Sequence, residues 1–177
     1  MEKIAENTMD TRTAEFLVSE AGGKFLSQAA GETDPLKRIT ALRKSLDADM
    51  ASAVSAQVDL RTRARERFSR AGEMLFTSLG LEQATSESVW NYRASVFDKF
   101  EAVADLTCGI GADALALARK CRVLASDSDP AKVIIAGHNA GVYGVSENVD
   151  FKTAKASAYE GNADALFLDP DRRSETG

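Results

Sequence analysis

The chain has 177 residues, 44% hydrophobic and 28% charged, with a formal net charge of −5. Such a chain can close one full globular core, and its acidic balance excludes a generally basic nucleic-acid binder. No apolar run approaches the ~18 residues of a membrane span, and the start, MEKIAENTMD, is too polar for a signal peptide.

The first hundred residues read as helical. Asp10 or Thr11 can cap a helix carrying Phe16 and Leu17, with a break expected at Gly22-Gly23. A second helix follows through Phe25 and Leu26. Asp34-Pro35 is a cap followed by proline at the first helical position, with Leu36, Ile39 and Leu42 expected on one face. Met50, Val54 and Val58 continue an apolar stripe into RTRARERFSR, residues 61–70, which holds five arginines and one glutamate. On a continuous helix Arg63, Arg67 and Arg70 share a face, as a solvated surface or as a phosphate-contacting stripe. Beyond Gly80, read as a breaker, Thr85 can cap a helix with Val89, Val96 and Phe100 at helical spacing.

Near Phe100 the period changes. Glu101–Asp105 is a short apolar run ending in an acid, followed by a glycine turn and a helix through Leu115 and Leu117. Arg122–Ser126 is a second strand ending at Asp127. Ser128-Asp129-Pro130 opens a helix to about Asn139, with Gly141 as its stop. Val149–Thr153 and Ala165–Leu168 are a third and a fourth strand, the last ending at Asp169-Pro170. Strands alternating with helices at this spacing predict βαβ units and a parallel sheet.

In an open parallel sheet, ligands sit at the carboxyl ends of the strands. Asp105, Asp127 and Asp169 therefore converge on one edge, beside Gly109 and Gly111, which let the backbone approach a ligand. Asp127 follows Gly109 by eighteen residues, a spacing suited to ribose hydroxyls. Gly109-Ile-Gly111-Ala-Asp-Ala114 matches the Gly-x-Gly-x-x-Gly/Ala fingerprint of dinucleotide-binding folds. A pyrophosphate, however, needs the helix amino terminus free of negative charge, and Asp113 stands in that first turn. Asp105 suits a cationic amino-acid tail. S-adenosylmethionine, which lacks phosphate and carries an ammonium and a sulfonium, fits these acids better than a dinucleotide.

Val103-Ala-Asp-Leu-Thr-Cys-Gly-Ile-Gly111 resembles motif I of the class I S-adenosylmethionine-dependent methyltransferases. Val123-Leu-Ala-Ser-Asp-Ser-Asp-Pro130 resembles their second motif, and Leu168-Asp-Pro-Asp171 the start of their fourth. Leu75–Thr85 and Tyr92–Phe97 resemble the lead-in of the bacterial THUMP-like methyltransferases, a group similar to trimethylguanosine synthase. The resemblance covers roughly residues 60 to 173. Together with the helical reading of the first part, it implies an all-helical domain over residues 1–83 followed by the amino-terminal part of a Rossmann-like methyltransferase core over 84–177. Four of the seven strands of such a core are visible before Gly177, so a truncated core is expected.

The same resemblance implies cofactor contacts at Asp105, Thr107, Gly109, Gly111, Asp127 and Ser128, with Asp169 and Pro170 at the catalytic edge. RNA is the favoured acceptor, with Arg63, Arg67 and Arg70 of the arginine stripe, and Arg172 after the fourth motif, as candidate contacts. Three departures stand out. Thr107 replaces the commoner first glycine of motif I. Lys155-Ala-Ser157 stands where an acid usually holds the adenine amine. The fourth motif reads Asp169-Pro-Asp-Arg172 and lacks the aromatic that amino-group methyltransferases stack on the acceptor base.

Other residues read more plainly. Cys108 is expected as loop packing, since no base neighbours it in sequence. Cys108 and Cys121, thirteen positions apart, suggest neither a disulfide framework nor a metal site, so a reduced cytoplasmic setting without metal is expected. His138 is read as a helix-dipole partner, Asp129 as a helix cap, and Trp90 and Tyr92 as packing residues. A small-molecule methyltransferase, a nicotinamide-dependent oxidoreductase and a non-catalytic interaction module are the rival functions.

Overall fold

The computed structural model describes residues 9–169. Helices occupy the first part: α1 (Thr11–Val18), α2 (Glu20–Ala29), α3 (Pro35–Leu42), α4 (Ala48–Ala64), α5 (Ser78–Gln83) and α6 (Glu87–Phe97). The second part alternates β1 (Ala102–Asp105), α7 (Ala112–Leu117), β2 (Arg122–Asp127), α8 (Pro130–Tyr143), β3 (Val149–Thr153) and β4 (Ala165–Phe167). The strands form one sheet in the order β3-β2-β1-β4, all parallel, with Ala104 beside Leu124 and Leu166. The expected α/β architecture, helical region followed by a parallel core, is the one observed.

Capping residues set several helix starts as the sequence suggests. Asp10 accepts from Thr13 N–H at 2.7 Å, and Asp34 accepts from Leu36 and Lys37 N–H ahead of Pro35. Asp129 accepts from Ala131 N–H at 2.9 Å and so is the cap of α8.

Other boundaries differ from expectation. The break between the first two helices falls at Ser19, which ends α1 and caps α2 by accepting from Gly22 N–H. Gly22 and Gly23 lie inside α2. Gly22 is the contact point of the two helices: a Cβ there would sit 2.1 Å from the Phe16 carbonyl oxygen. On α3, Leu36 is 75% exposed and Arg38 is buried instead. The Arg38 guanidinium is satisfied by Ser55 Oγ, the Glu32 carbonyl and Asp59 at 2.6 Å. Gly80 lies within α5 rather than breaking a helix, and α6 starts after Ser86 rather than Thr85. Trp90 and Ala94 form the buried face of α6, while Val89, Val96 and Tyr92 are exposed. α8 runs past Gly141 to Gly144, whose positive φ of 69° supplies the left-handed stop.

The arginine run does not form one helical face. α4 ends at Ala64. Arg63 stays exposed on it, whereas Arg67 turns inward and donates to the Leu81 and Ala84 carbonyls. Arg70 pairs with Glu73 at 2.8 Å and donates to the Val142 carbonyl.

The helical region and the sheet share one continuous core. α1 packs on α8, α6 on α7, and the buried segment Met74–Phe76 runs between them. Two side-chain amides hold that segment: Asn139 accepts from Leu75 N–H and donates to its carbonyl, and Gln57 does the same for Phe76. Trp90 closes the seam, packing on Phe68 and edge-on to Tyr143 at 5.0 Å between centroids.

Candidate cofactor and active site

β1 carries Asp105 to the carboxyl edge of the sheet, where it is completely buried. Its Oδ1 accepts from Thr107 N–H at 3.1 Å. Its Oδ2, equally buried, has no hydrogen-bond partner among the described residues. Burial pushes the Asp105 carboxyl up to about 7 against the pull of the Thr107 bond, with the charges of Asp113, Asp127 and Asp169 raising it further. An unpaired buried carboxylate oxygen is costly unless something cationic or donating meets it.

The loop after β1 is pinned on both sides. Leu106 N–H donates to the Phe167 carbonyl and Cys108 N–H to the Ser126 carbonyl. Gly109 N–H donates to Asp127 Oδ2 at 3.1 Å, and Asp129 N–H donates to Oδ1 of the same carboxylate at 2.9 Å. Gly109 and Gly111 have φ of 54° and 91°, in the region that disfavours side chains. A Cβ at Gly109 would meet nothing, so that face of the loop is open, whereas one at Gly111 would press on Ala136 Cβ at 3.0 Å. The Thr107 hydroxyl accepts from Asp169 N–H at 2.9 Å, tying the glycine loop to the end of β4. Ser128 is exposed just past β2, and Lys155 is exposed after β3.

The structure therefore brings Asp105, Thr107, Gly109, Gly111, Asp127 and Asp169 to one edge. Pro170 and Arg172 lie outside the described residues. Arg63, Arg67 and Arg70 are elsewhere, on or after α4.

Sequence reasoning missed Arg93. It comes from α6, and its Nη1 lies 3.1 Å from Asp113 Oδ1, an ion pair outside hydrogen-bond alignment. The same guanidinium reaches Asp169 Oδ2 at 3.4 and 3.5 Å and lies over the Phe167 ring at 5.3 Å. Asp113 also accepts from the Thr85 hydroxyl at 3.0 Å, and burial raises its carboxyl. The Tyr92–Phe97 stretch that holds Arg93 stands out in sequence, but its place at this edge does not, because that depends on how α6 packs on α7. Asn139 escaped for the same reason; besides Leu75 it donates to the Ile110 carbonyl inside the glycine loop.

Two side chains read as non-catalytic are placed accordingly. Cys108 is buried and its thiol is pushed up, first by burial and then by Asp105 and Asp127, so it is no nucleophile. His138 Nε2 meets the Glu73 carbonyl at 3.0 Å, far from the sheet edge and not at a helix end. Among the described residues no acid, histidine and cysteine group could hold a metal ion, and no helix is long and apolar enough to cross a membrane.

The donor set suits S-adenosylmethionine. It offers an orphaned buried carboxylate oxygen for a cation, an open glycine turn, and a carboxylate at the end of β2. A bound pyrophosphate would face Asp105 and Asp113 instead of free amides.

Residues 100–165 match the family model described as RNA cap guanine-N2 methyltransferase, and residues 10–64 match one described only as a domain of unknown function. A protein from Porphyromonas gingivalis W83 described as a methyltransferase shares the fold, with a TM-score of 0.72 and 22% identity over 93% of this chain. The chain spans 42% of that protein's length. A Klebsiella pneumoniae protein described as an O-methyltransferase is 14% identical over 66% of this chain and 52% of its own, TM-score 0.48. An SAH-bound methyltransferase from Podospora anserina is 19% identical over 71% of this chain and 59% of its own, TM-score 0.42. Residues 100–165 thus resemble the guanine-N2 methyltransferase family, and the chain shares the fold of the Porphyromonas gingivalis protein.

Proposed function

We propose that this chain is the cofactor-binding part of an S-adenosylmethionine-dependent methyltransferase whose acceptor is RNA, a guanine amine in particular. The observation that carries the cofactor is Asp105, whose buried Oδ2 lacks a partner among the described residues at the glycine loop. The support for RNA is the match of residues 100–165 to the guanine-N2 family model. Exposed Arg63 and, beyond the described residues, Arg172 are the phosphate contacts in this reading.

When bound, S-adenosylmethionine supplies a methyl group on a sulfonium. The chain's own residues bind and orient. Asp105 takes the ammonium, Gly109 and Gly111 give the backbone room, and Asp127 and Ser128 take the ribose end. Asp127 orders the loop as well, since both of its oxygens accept from backbone amides. Asp169, placed by Thr107, accepts a hydrogen bond from the acceptor amine and fixes its line of approach. Alignment of this kind is the main catalytic task when the leaving group is already activated.

Isothermal titration with S-adenosylhomocysteine and NAD tests the cofactor. The homocysteine compound should bind and NAD should bind more weakly; the reverse order would overturn the reading. Transfer of labelled methyl from S-adenosylmethionine to total RNA, lost on ribonuclease treatment, tests the acceptor.

A further inference from the structure

Arg93 is a basic side chain that this edge places against Asp113 and Asp169; it lies in the Tyr92–Phe97 stretch, but neither the reading of that stretch nor the proposed function gives it a role. Its contacts leave it capacity. Nη1 meets Asp113 at 3.1 Å, while both contacts to Asp169 are long, at 3.4 and 3.5 Å, and fall on one oxygen. A guanidinium offers five N–H donors in a planar fork suited to a carboxylate. The guanidinium carbon lies over the Phe167 ring at 5.3 Å, which holds the fork at the end of β4. Asp113 is itself held by Thr85, so Arg93 is anchored from two directions.

Resting on the cofactor reading above, we infer that Arg93 is the specificity residue for the carboxylate of the cofactor's amino-acid tail. An amino-acid tail is a zwitterion. Its ammonium has an answer in Asp105, but its carboxylate would enter a cluster of Asp105, Asp113 and Asp169, where repulsion needs a cation to offset it. Arg93 is that cation. Lys132, at the start of α8, is a second positive charge near the loop, but it acts on Cys108, on the β2 side of the turn. A carboxylate on Arg93 displaces the weaker contact to Asp169. Filling the cofactor site thereby releases Asp169 toward the acceptor, which orders the two binding events.

The test compares S-adenosylhomocysteine with its decarboxylated form, S-adenosyl-3-thiopropylamine, by isothermal titration on the 177-residue chain. The two ligands share adenosine, sulfur and amine and differ in the carboxylate alone. The chain should prefer the carboxylate-bearing ligand by about ten- to a hundredfold, the range for a hydrogen-bonded charged group. Arg93→Gln should abolish the preference while leaving the affinity for the decarboxylated ligand within about threefold. Arg93→Lys should keep part of it, and Lys132→Gln all of it. A ratio within one variant cancels any general loosening of the fold, and circular dichroism verifies folding. Equal affinity of the unaltered chain for both ligands, or a preference that survives Arg93→Gln or is lost in Lys132→Gln, overturns the inference and leaves the cofactor reading intact. Failure of the unaltered chain to bind either ligand overturns the cofactor reading itself.

Discussion

With its carboxyl pushed up to about 7, Asp105 holds a proton in the folded chain that the unfolded chain, titrating near its ordinary value of about 4, has already lost. The unfolding free energy therefore falls as pH rises through that window and levels off above it. Asparagine has no charge to bury. Asp105→Asn should then be the more stable protein at pH 8, by as much as about 4 kcal/mol at 1.36 kcal/mol per pKa unit, with the gain fading toward pH 4. Calorimetric melting of both chains at pH 5 and pH 8 checks this; a variant that melts lower at pH 8 would refute the buried-charge account. The same variant should lose S-adenosylhomocysteine binding, a case of stability given up for function. In the unaltered chain that affinity should rise with pH, by up to about tenfold per unit, until Asp105 is ionised near pH 7. Asp127 and Asp129, two positions apart, separate by role. Asp127→Ala should weaken the ligand by about 1.5–3 kcal/mol, and Asp129→Ala should lower stability by about 1 kcal/mol as a lost cap. Titration and thermal melting of both distinguish them, and exchanged phenotypes would show that the roles are reversed. Asp105, Gly109, Gly111 and Asp127 are legible in sequence because each stands at a strand end beside a turn. The place of Arg93 is not, because it is the packing of α6, the helix ahead of β1, that brings it to the edge.

The strands and their order are legible at the element scale because each is a short apolar run closed by an acid or a turn, and parallel pairing follows from the alternation with helices. Helix ends are less so. Nothing in the residues after Ala64 breaks a helix by propensity. The chain turns there because Phe68 is drawn into the core and Arg67 caps the Leu81 and Ala84 carbonyls, both contacts made across the fold. The α1–α2 junction shows the reverse error: a Gly-Gly pair looks like a break but is used for close packing. Gly22→Ala should destabilise the chain by about 1–3 kcal/mol, the range for overpacking, because its Cβ has nowhere to go beside Phe16. Gly23→Ala, with nothing within 4 Å of the new atom, should be neutral or stabilising by up to about 1 kcal/mol. Urea denaturation of the pair measures the difference, and equal midpoints would show that α1 and α2 do not press together at Gly22.

Across the whole molecule, the helical region and the sheet are joined by packing that a division near residue 83 would cut. Trp90, the one tryptophan, lies at that seam against Phe68 and Tyr143. Its fluorescence and the far-ultraviolet circular dichroism should therefore report a single coincident unfolding transition, and two separated transitions would show that the parts are independent. Asn139→Ala should destabilise the chain at that transition by about 3 kcal/mol or more, since it strands three buried backbone groups, two on Leu75 and one on Ile110, that cost about 1–3 kcal/mol each when unpaired. The two amide clasps have a further consequence in time. Leu75 and Phe76 belong to no helix or strand, and backbone in irregular connections ordinarily trades its amide hydrogens with solvent through small local openings. Here both hydrogens are bonded to side chains rooted in α4 and α8. Their release requires the segment to come away from both helices, so in deuterated water this connecting stretch should be among the last of the described residues to exchange.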